Sequence, residues 1–356
     1  DRYMFQLIIR KINKWELRMS LFSKRSVIAT FLIGFAMIFA VSCDRNQEVS
    51  DCGTISVAEM DWASAEMFAN LDKVVLEKGF GCDVELVPGS TQPTTASMVS
   101  KGEPDVAPEM WANANRIELD KAVDEGKLHY GAMVLSSYGE EGWWIPQYLA
   151  DANPDIQTVE DALARPDLFP HPEGGDGALH TCPSGWNCQI STGNLFKAFD
   201  AESKGFRLVD PGSGAGLDGS IAEAYNKKQG WMGYYWAPTA ILGKYPMKRL
   251  DFGVPFDADE WANCTSQDCA DPKKNSWVLS EVFTYVTDRF KNQAGSGAMD
   301  YMEKRALPNT TVNEVLAWMA DQQASGEDAA LYFLKNYSEW HDWVDADTRK
   351  QIEAAI

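Results

Sequence analysis

The chain has 356 residues and a formal charge of −20, from 52 Asp and Glu against 32 Lys and Arg. Setting aside the seven basic and two acidic side chains of residues 1–43 leaves 25 against 50, a charge near −25 for the remainder. A surface of that sign repels nucleic acid and anionic lipid, and no segment carries the basic groove that either partner needs.

Because the chain begins with Asp1, residues 1–18 read as an upstream extension ahead of Met19. Residues 19–43 read as a signal peptide: Lys24 and Arg25 form a basic start, and Val27–Val41 is an apolar run short of the ~20 residues a spanning helix needs. Ala40-Val41-Ser42-Cys43 is lipobox-like, with Ala40 where Leu is usual. Cys43 is therefore the expected lipidation site of a periplasmic protein tethered to a membrane. Ordinary cleavage beside Ser42 is the alternative. Six cysteines remain, at 52, 82, 182, 188, 264 and 269, an even set that suits an oxidising compartment. Local spacing suggests Cys182–Cys188 and Cys264–Cys269, with Cys52–Cys82 by remainder, but spacing alone does not fix the pairing.

The roughly 310 residues after Cys43 are ample for two α/β lobes. Thr54–Ala58 reads as a strand, 64–78 as an amphipathic helix, and Asp83–Val87 as a strand closed by Pro88-Gly89. A helix over 94–101 leads into Pro104–Pro108. This βαβα rhythm predicts a largely parallel sheet. A second unit covers 158–164, a Gly-rich turn at 174–177, a helix over 192–199 and a strand at 207–209. Gly212–Gly216 reads as a flexible connection before a helix over 219–228 and a strand over 230–235. Helices are expected from Ser280 onward, over 311–323 and 327–343. The division expected is 53–143 plus 253–356 for one lobe and 144–252 for the other, and it makes a cleft between lobes the natural ligand site.

Of the 13 tryptophans only Trp15 precedes Cys43, and several others sit beside acids or turn residues. Indoles are costly core fillers because each carries an N–H to satisfy, but their faces attract cations that donate no strong hydrogen bond. Three segments stand out: Asp105-Val106-Ala107-Pro108-Glu109-Met110-Trp111, Cys182-Pro183-Ser184-Gly185-Trp186-Asn187-Cys188, and Tyr234-Tyr235-Trp236-Ala237-Pro238. Together they resemble the substrate-binding proteins of ABC importers for glycine betaine and related compatible solutes. The resemblance covers essentially the whole chain after the leader.

That resemblance implies a two-lobed periplasmic binding fold of type II, closing about a hinge, with Trp111, Trp186 and Trp236 as walls of an aromatic cage. Trp62, after the first strand, makes a fourth candidate wall, and Trp144 a further one. Trp231, Trp261, Trp277, Trp318, Trp340 and Trp343 read as packing. Some family members place a His a few residues after the first cage Trp to hold a ligand carboxylate; here that position is Asn115. Acids stand near the cage instead, at Asp61, Glu109 and Glu141. A buried carboxylate repels a ligand carboxylate but accepts a charge-assisted hydrogen bond from a hydroxyl or a protonated N-oxide. The pattern looks like the trimethylamine N-oxide-binding members, with choline next and glycine betaine held by backbone N–H groups near Trp186–Cys188 as the other option.

The expected partners are a small cationic or zwitterionic methylated amine and a cognate permease and ATPase, with the receptor a monomer. No cofactor or metal is expected. His129, His171, His180 and His341 lack zinc spacing, and Glu173–Gly177 lacks the regular oxygen ligands of a calcium loop. A sensor that presents its closed lobes to a chemoreceptor is a rival reading. An enzyme would need a nucleophile or cofactor motif that the sequence does not carry.

Overall fold

The computed structural model describes residues 52–175 and 177–356. The expected leader and Cys43 lie outside these residues, as does Asp176 of the Gly-rich turn. Among the described residues no helix is long and apolar enough to cross a membrane.

Strand β1 (Thr54–Met60) leads into helix α1 (Ala63–Phe80), followed by β2 (Asp83–Gly89), α2 (Thr91–Lys101), β3 (Val106–Trp111) and β4 (Leu128–Met133). Residues 134–139 then cross to a second sheet. It contains β5 (Glu140–Pro146), β6 (Gly177–His180), α3 (Cys188–Ala198), β7 (Phe206–Val209), α4 (Gly214–Lys227), β8 (Gly233–Ala237) and β9 (Met247–Arg249). Residues 250–281 return to the first sheet as β10 (Val282–Thr287). The chain ends in helices that include α5 (Asn309–Gln322) and α6 (Gly326–Asn336).

The two sheets repeat one topology. Their orders are β2-β1-β3-β10-β4 and β7-β6-β8-β5-β9. Four of the five strands in each point one way, and the remaining one, β10 or β5, runs antiparallel to both its neighbours. The sheets are therefore largely parallel in direction, as expected, with one reversed strand in each, the strand that follows a crossing. β10 lies at the start of the stretch where helices were expected to dominate, and its Val282-Phe283-Thr284-Tyr285-Val286-Thr287 is rich in β-branched and aromatic residues. Since β5 pairs as one strand from Glu140, the first crossing falls before it and not at 143/144. The segment 212–216 is not a loose connection: Ser213 caps α4, its Oγ accepting from the Gly216 N–H at 3.0 Å. The helix expected over 327–343 stops at Asn336, a separate turn over Glu339–Asp342 follows, and a final helix covers Ala346–Ala355.

The crossings pair with each other. Gly139 and Ser280 exchange backbone hydrogen bonds of 2.8 and 2.7 Å, which ties the two connecting segments into one hinge. Disulfides join Cys182 to Cys188 and Cys264 to Cys269, as local spacing suggests, and Cys52 to Cys82, the pair left by remainder.

β3 is buried at every position, with β1 on one side and β10 on the other. Its polar carbonyl at Pro108 is satisfied from within the core. Arg305, fully buried, donates through Nη2 to Pro108 O (3.0 Å) and Thr284 Oγ1 (2.7 Å), and its Nε lies 2.6 Å from Asp72 on α1. Tyr301 donates to the same carboxylate at 2.7 Å. Removing one member of a buried pair leaves the other uncompensated, at about 3–5 kcal/mol. Arg305→Ala is expected to lower unfolding stability by about that much in urea, and Asp72→Asn added to it to recover part of the loss. A change under about 1 kcal/mol in the single variant would contradict this role.

Candidate functional site

In a sheet ordered 2-1-3 the chain leaves the first strand in one direction and later returns on its other side, which opens a crevice at the carboxyl ends of strands 1 and 3. The crevice occurs twice here. β1 runs into Asp61-Trp62, and β3 ends at Trp111; β6 runs into the Cys182–Cys188 loop with Trp186, and β8 carries Trp236 near its end. Each lobe thus delivers two indoles, and the two pairs meet across the cleft. Trp62 stands edge-on to Trp186, with centroids 5.4 Å apart and planes at 74°. Trp186 stands edge-on to Trp236 at 5.2 Å and 81°. With Trp111, Glu141, Tyr234, Asn187 and Cys188 these three enclose a space of about 30 Å³. That is two or three water-sized spheres, so only compact groups fit without the walls moving apart.

Glu109 and Trp111 are two apart on β3 and therefore project to one face. Glu109 is fully buried, and its Oε1 accepts from Trp62 Nε1 (2.8 Å), Trp111 Nε1 (3.0 Å) and Ser64 Oγ (2.9 Å). Its Oε2 is also buried and has no hydrogen-bond partner in the protein; Glu109 lies behind the Trp62 and Trp111 walls and is not itself among the residues that line the enclosed space. Burial pushes the Glu109 carboxyl up to about 7, against the three donors and the more distant Arg305, which pull it down. A folded-state value above the ordinary one means that this part of the stability is fully present below about 4.5. It is lost as pH rises through about 7.

Glu141 lies on β5 directly opposite Trp236 on β8. It lines the enclosed space, but both its oxygens are already engaged: Tyr234 donates to Oε1 at 2.8 Å and Ser280 Oγ to Oε2. Burial raises the Glu141 carboxyl, and the Ser280 and Tyr234 hydrogen bonds oppose it. Strand alternation turns Tyr234 toward this space and Tyr235 away, where Tyr235 donates to Asp218 at 2.6 Å.

Other candidates lie elsewhere. Asp61 does not line the enclosed space; its Oδ1 accepts from Trp186 Nε1 at 2.8 Å. Trp144 donates to Tyr235 O at 2.9 Å and is likewise not part of the enclosure, while Trp143 packs between Phe199 and Phe252. Asn115 is buried in the first lobe and donates to Thr95 Oγ1 at 3.0 Å. Trp277 packs behind Tyr234 with centroids 5.4 Å apart. Ser64 and Ser280 hold the two buried acids, yet a lone serine gives no signal in a sequence. Outside the enclosure, a cavity of about 470 Å³ shares the Trp62 and Trp236 walls and is bordered by Asp61, Glu66 and Asp218. Among the described residues no group of His, Cys, Asp and Glu is arranged to hold a metal.

Residues 53–336 match the family model of the substrate-binding domain of ABC-type glycine betaine transport systems. Three solved structures share the fold at 16% identity each. One is the glycine betaine/L-proline-binding protein ProX from Borrelia burgdorferi, with a TM-score of 0.66, covering 84% of this chain and 99% of that one. The second is an ABC-transporter choline-binding protein in complex with choline, at 0.68, covering 85% and 98%. The third is lactococcal OpuAC complexed with glycine betaine, at 0.61, covering 82% and 100%. The chain belongs to the substrate-binding domains of ABC-type glycine betaine transport systems, a family of solute binders and not of enzymes.

Proposed function

We propose that the chain is the extracytoplasmic receptor of an ABC importer for a small methylated amine, trimethylamine N-oxide first, delivered to a cognate permease and ATPase. Its tether to a membrane would be a lipid on Cys43. Trp62, Trp111, Trp186 and Trp236 are assigned as the cage, whose faces stabilise a methylated cation by about 0.5–2 kcal/mol each. Glu109 is assigned as the polar partner. The observation that carries this choice is its divided carboxylate: Oε1 holds two cage indoles, and Oε2 is buried without a partner. A ligand oxygen reaching Oε2 can share one proton with it, so the N-oxide completes the site while a ligand carboxylate meets a like charge. Choline is the neighbouring reading, its hydroxyl donating to the ionised Glu109.

Glycine betaine has one observation in its favour. Helix α3 begins at Cys188, on the cage wall, and a helix N-terminus favours an anion. Calorimetric titration with the three ligands side by side separates the readings. Tight binding of the N-oxide or choline with weak betaine supports the acid-completed cage. Betaine binding tightest would assign the polar end to α3.

The pH dependence has opposite signs for the two preferred ligands. N-oxide binding retains one proton, so its affinity is expected to be flat below about 7 and to fall by up to tenfold per pH unit above it. Choline binding prefers the ionised acid, so its affinity is expected to rise toward about 7 and then level. Matching profiles for both ligands would remove Glu109 from the contact. Trp186→Ala and Trp236→Ala are each expected to abolish measurable binding with thermal melting retained; normal binding by both would sink the cage. Gly139 supports the site from the hinge, because a Cβ there would stand 2.1 Å from Cζ3 of Trp111. Gly139→Ala is therefore expected to displace that indole and weaken binding at least about tenfold by calorimetry, and unchanged affinity would contradict it.

A further inference from the structure

The Cys182–Cys188 loop carries a cage wall, yet the groups that hold it come from the other lobe. Asp61 follows β1 and accepts the Trp186 indole N–H at 2.8 Å. The Gln92 backbone N–H donates to Gly185 O at 3.1 Å, and Gln92 Nε2 donates to Asn187 Oδ1. Three consecutive residues of the loop, 185 to 187, are thus each gripped from the first lobe.

The chemistry of each contact suits a reversible join. Gln92 is the second residue of α2, where backbone N–H groups have no partner within the helix, so Gly185 O supplies one that water would otherwise supply. Asp61 is exposed apart from this contact, so no core depends on it. The fit of the loop is close. Gly185 has φ +93°, and a Cβ on it would stand 3.0 Å from Ser90 Oγ at the start of α2. None of these contacts needs a ligand atom.

We infer that Asp61 and Gln92 form an interlobe clasp: they are positioning residues that grip the Trp186 loop and set how long the cleft stays shut. This reading rests on Trp186 being a cage wall. It assigns Asp61 to closure and not to ligand contact. The kinetic consequence follows from where the clasp acts. Its hydrogen bonds form after the ligand has entered, so their loss speeds release and leaves capture nearly unchanged.

The test uses Asp61→Ala, Gln92→Ala and the conservative Asp61→Asn, whose amide oxygen still accepts the indole N–H. Stopped-flow tryptophan fluorescence with trimethylamine N-oxide, choline or glycine betaine, whichever binds, gives both rate constants. Spin labels on Lys101→Cys and Lys227→Cys, one exposed site on each lobe, give the interlobe distance with and without ligand. Both alanine variants are expected to raise koff about tenfold, change kon by less than about twofold, and lengthen the interlobe distances, with melting temperature retained. Asp61→Asn is expected to fall between Asp61→Ala and the parent. Parent-like koff and parent-like distances in both alanine variants would overturn the clasp. If no methylated amine binds the parent chain, the cage assignment fails, while the distance measurement still decides the clasp on its own.

Discussion

One carboxylate oxygen fixes the geometry on which the site depends. Glu109 Oε1 accepts two indole N–H groups and a serine hydroxyl from within a strand that water does not reach. Burying an acid there costs several kcal/mol unless donors surround it, and the donors present belong to Trp62, Trp111 and Ser64. The same bonds answer the opposite problem, that of two buried indoles with an N–H each to satisfy. Acid and aromatic walls therefore need one another, and neither can turn without leaving a polar atom stranded. Such mutual dependence ties the acid and the two indoles into one hydrogen-bonded unit.

The repeated sheet topology explains why four walls come from four distant segments. A 2-1-3 strand order leaves a crevice at the carboxyl ends of its first and third strands, and two lobes with that order supply two crevices. Trp62 and Trp111 come from one, Trp186 and Trp236 from the other. The antiparallel fourth strands join the scheme through the hinge. β5 carries Glu141 opposite Trp236, and Ser280, on the return crossing, donates to that acid while pairing with Gly139. Glu141 thus belongs as much to the hinge as to the cage wall, which makes it a poor choice for a ligand contact.

Much of this was legible in the residues. The alternation of strand and helix in both units is present in the fold, and the two short cysteine pairs follow local spacing with Cys52–Cys82 by remainder. What stayed hidden was set by tertiary pairing. The strand β5 contains Gly142 and ends in Pro146, so local propensity argued weakly for it, and with it went the placement of Trp144 outside the enclosure. Asp61, Glu109 and Glu141 looked alike as acids near tryptophans. Their roles diverge through which donors reach them, and a sequence does not record that. Ser64, Ser280 and Gln92 are ordinary polar residues whose importance arises wholly from what they face.

Glu109 is proposed to complete the cage with its second oxygen. A crystal structure of the protein with trimethylamine N-oxide tests it most directly. The ligand oxygen is expected within about 2.5–3.0 Å of Glu109 Oε2, and the methyl groups against the faces of Trp62, Trp111, Trp186 and Trp236. A ligand oxygen bound at the start of α3, with Glu109 Oε2 out of hydrogen-bond reach, would contradict it.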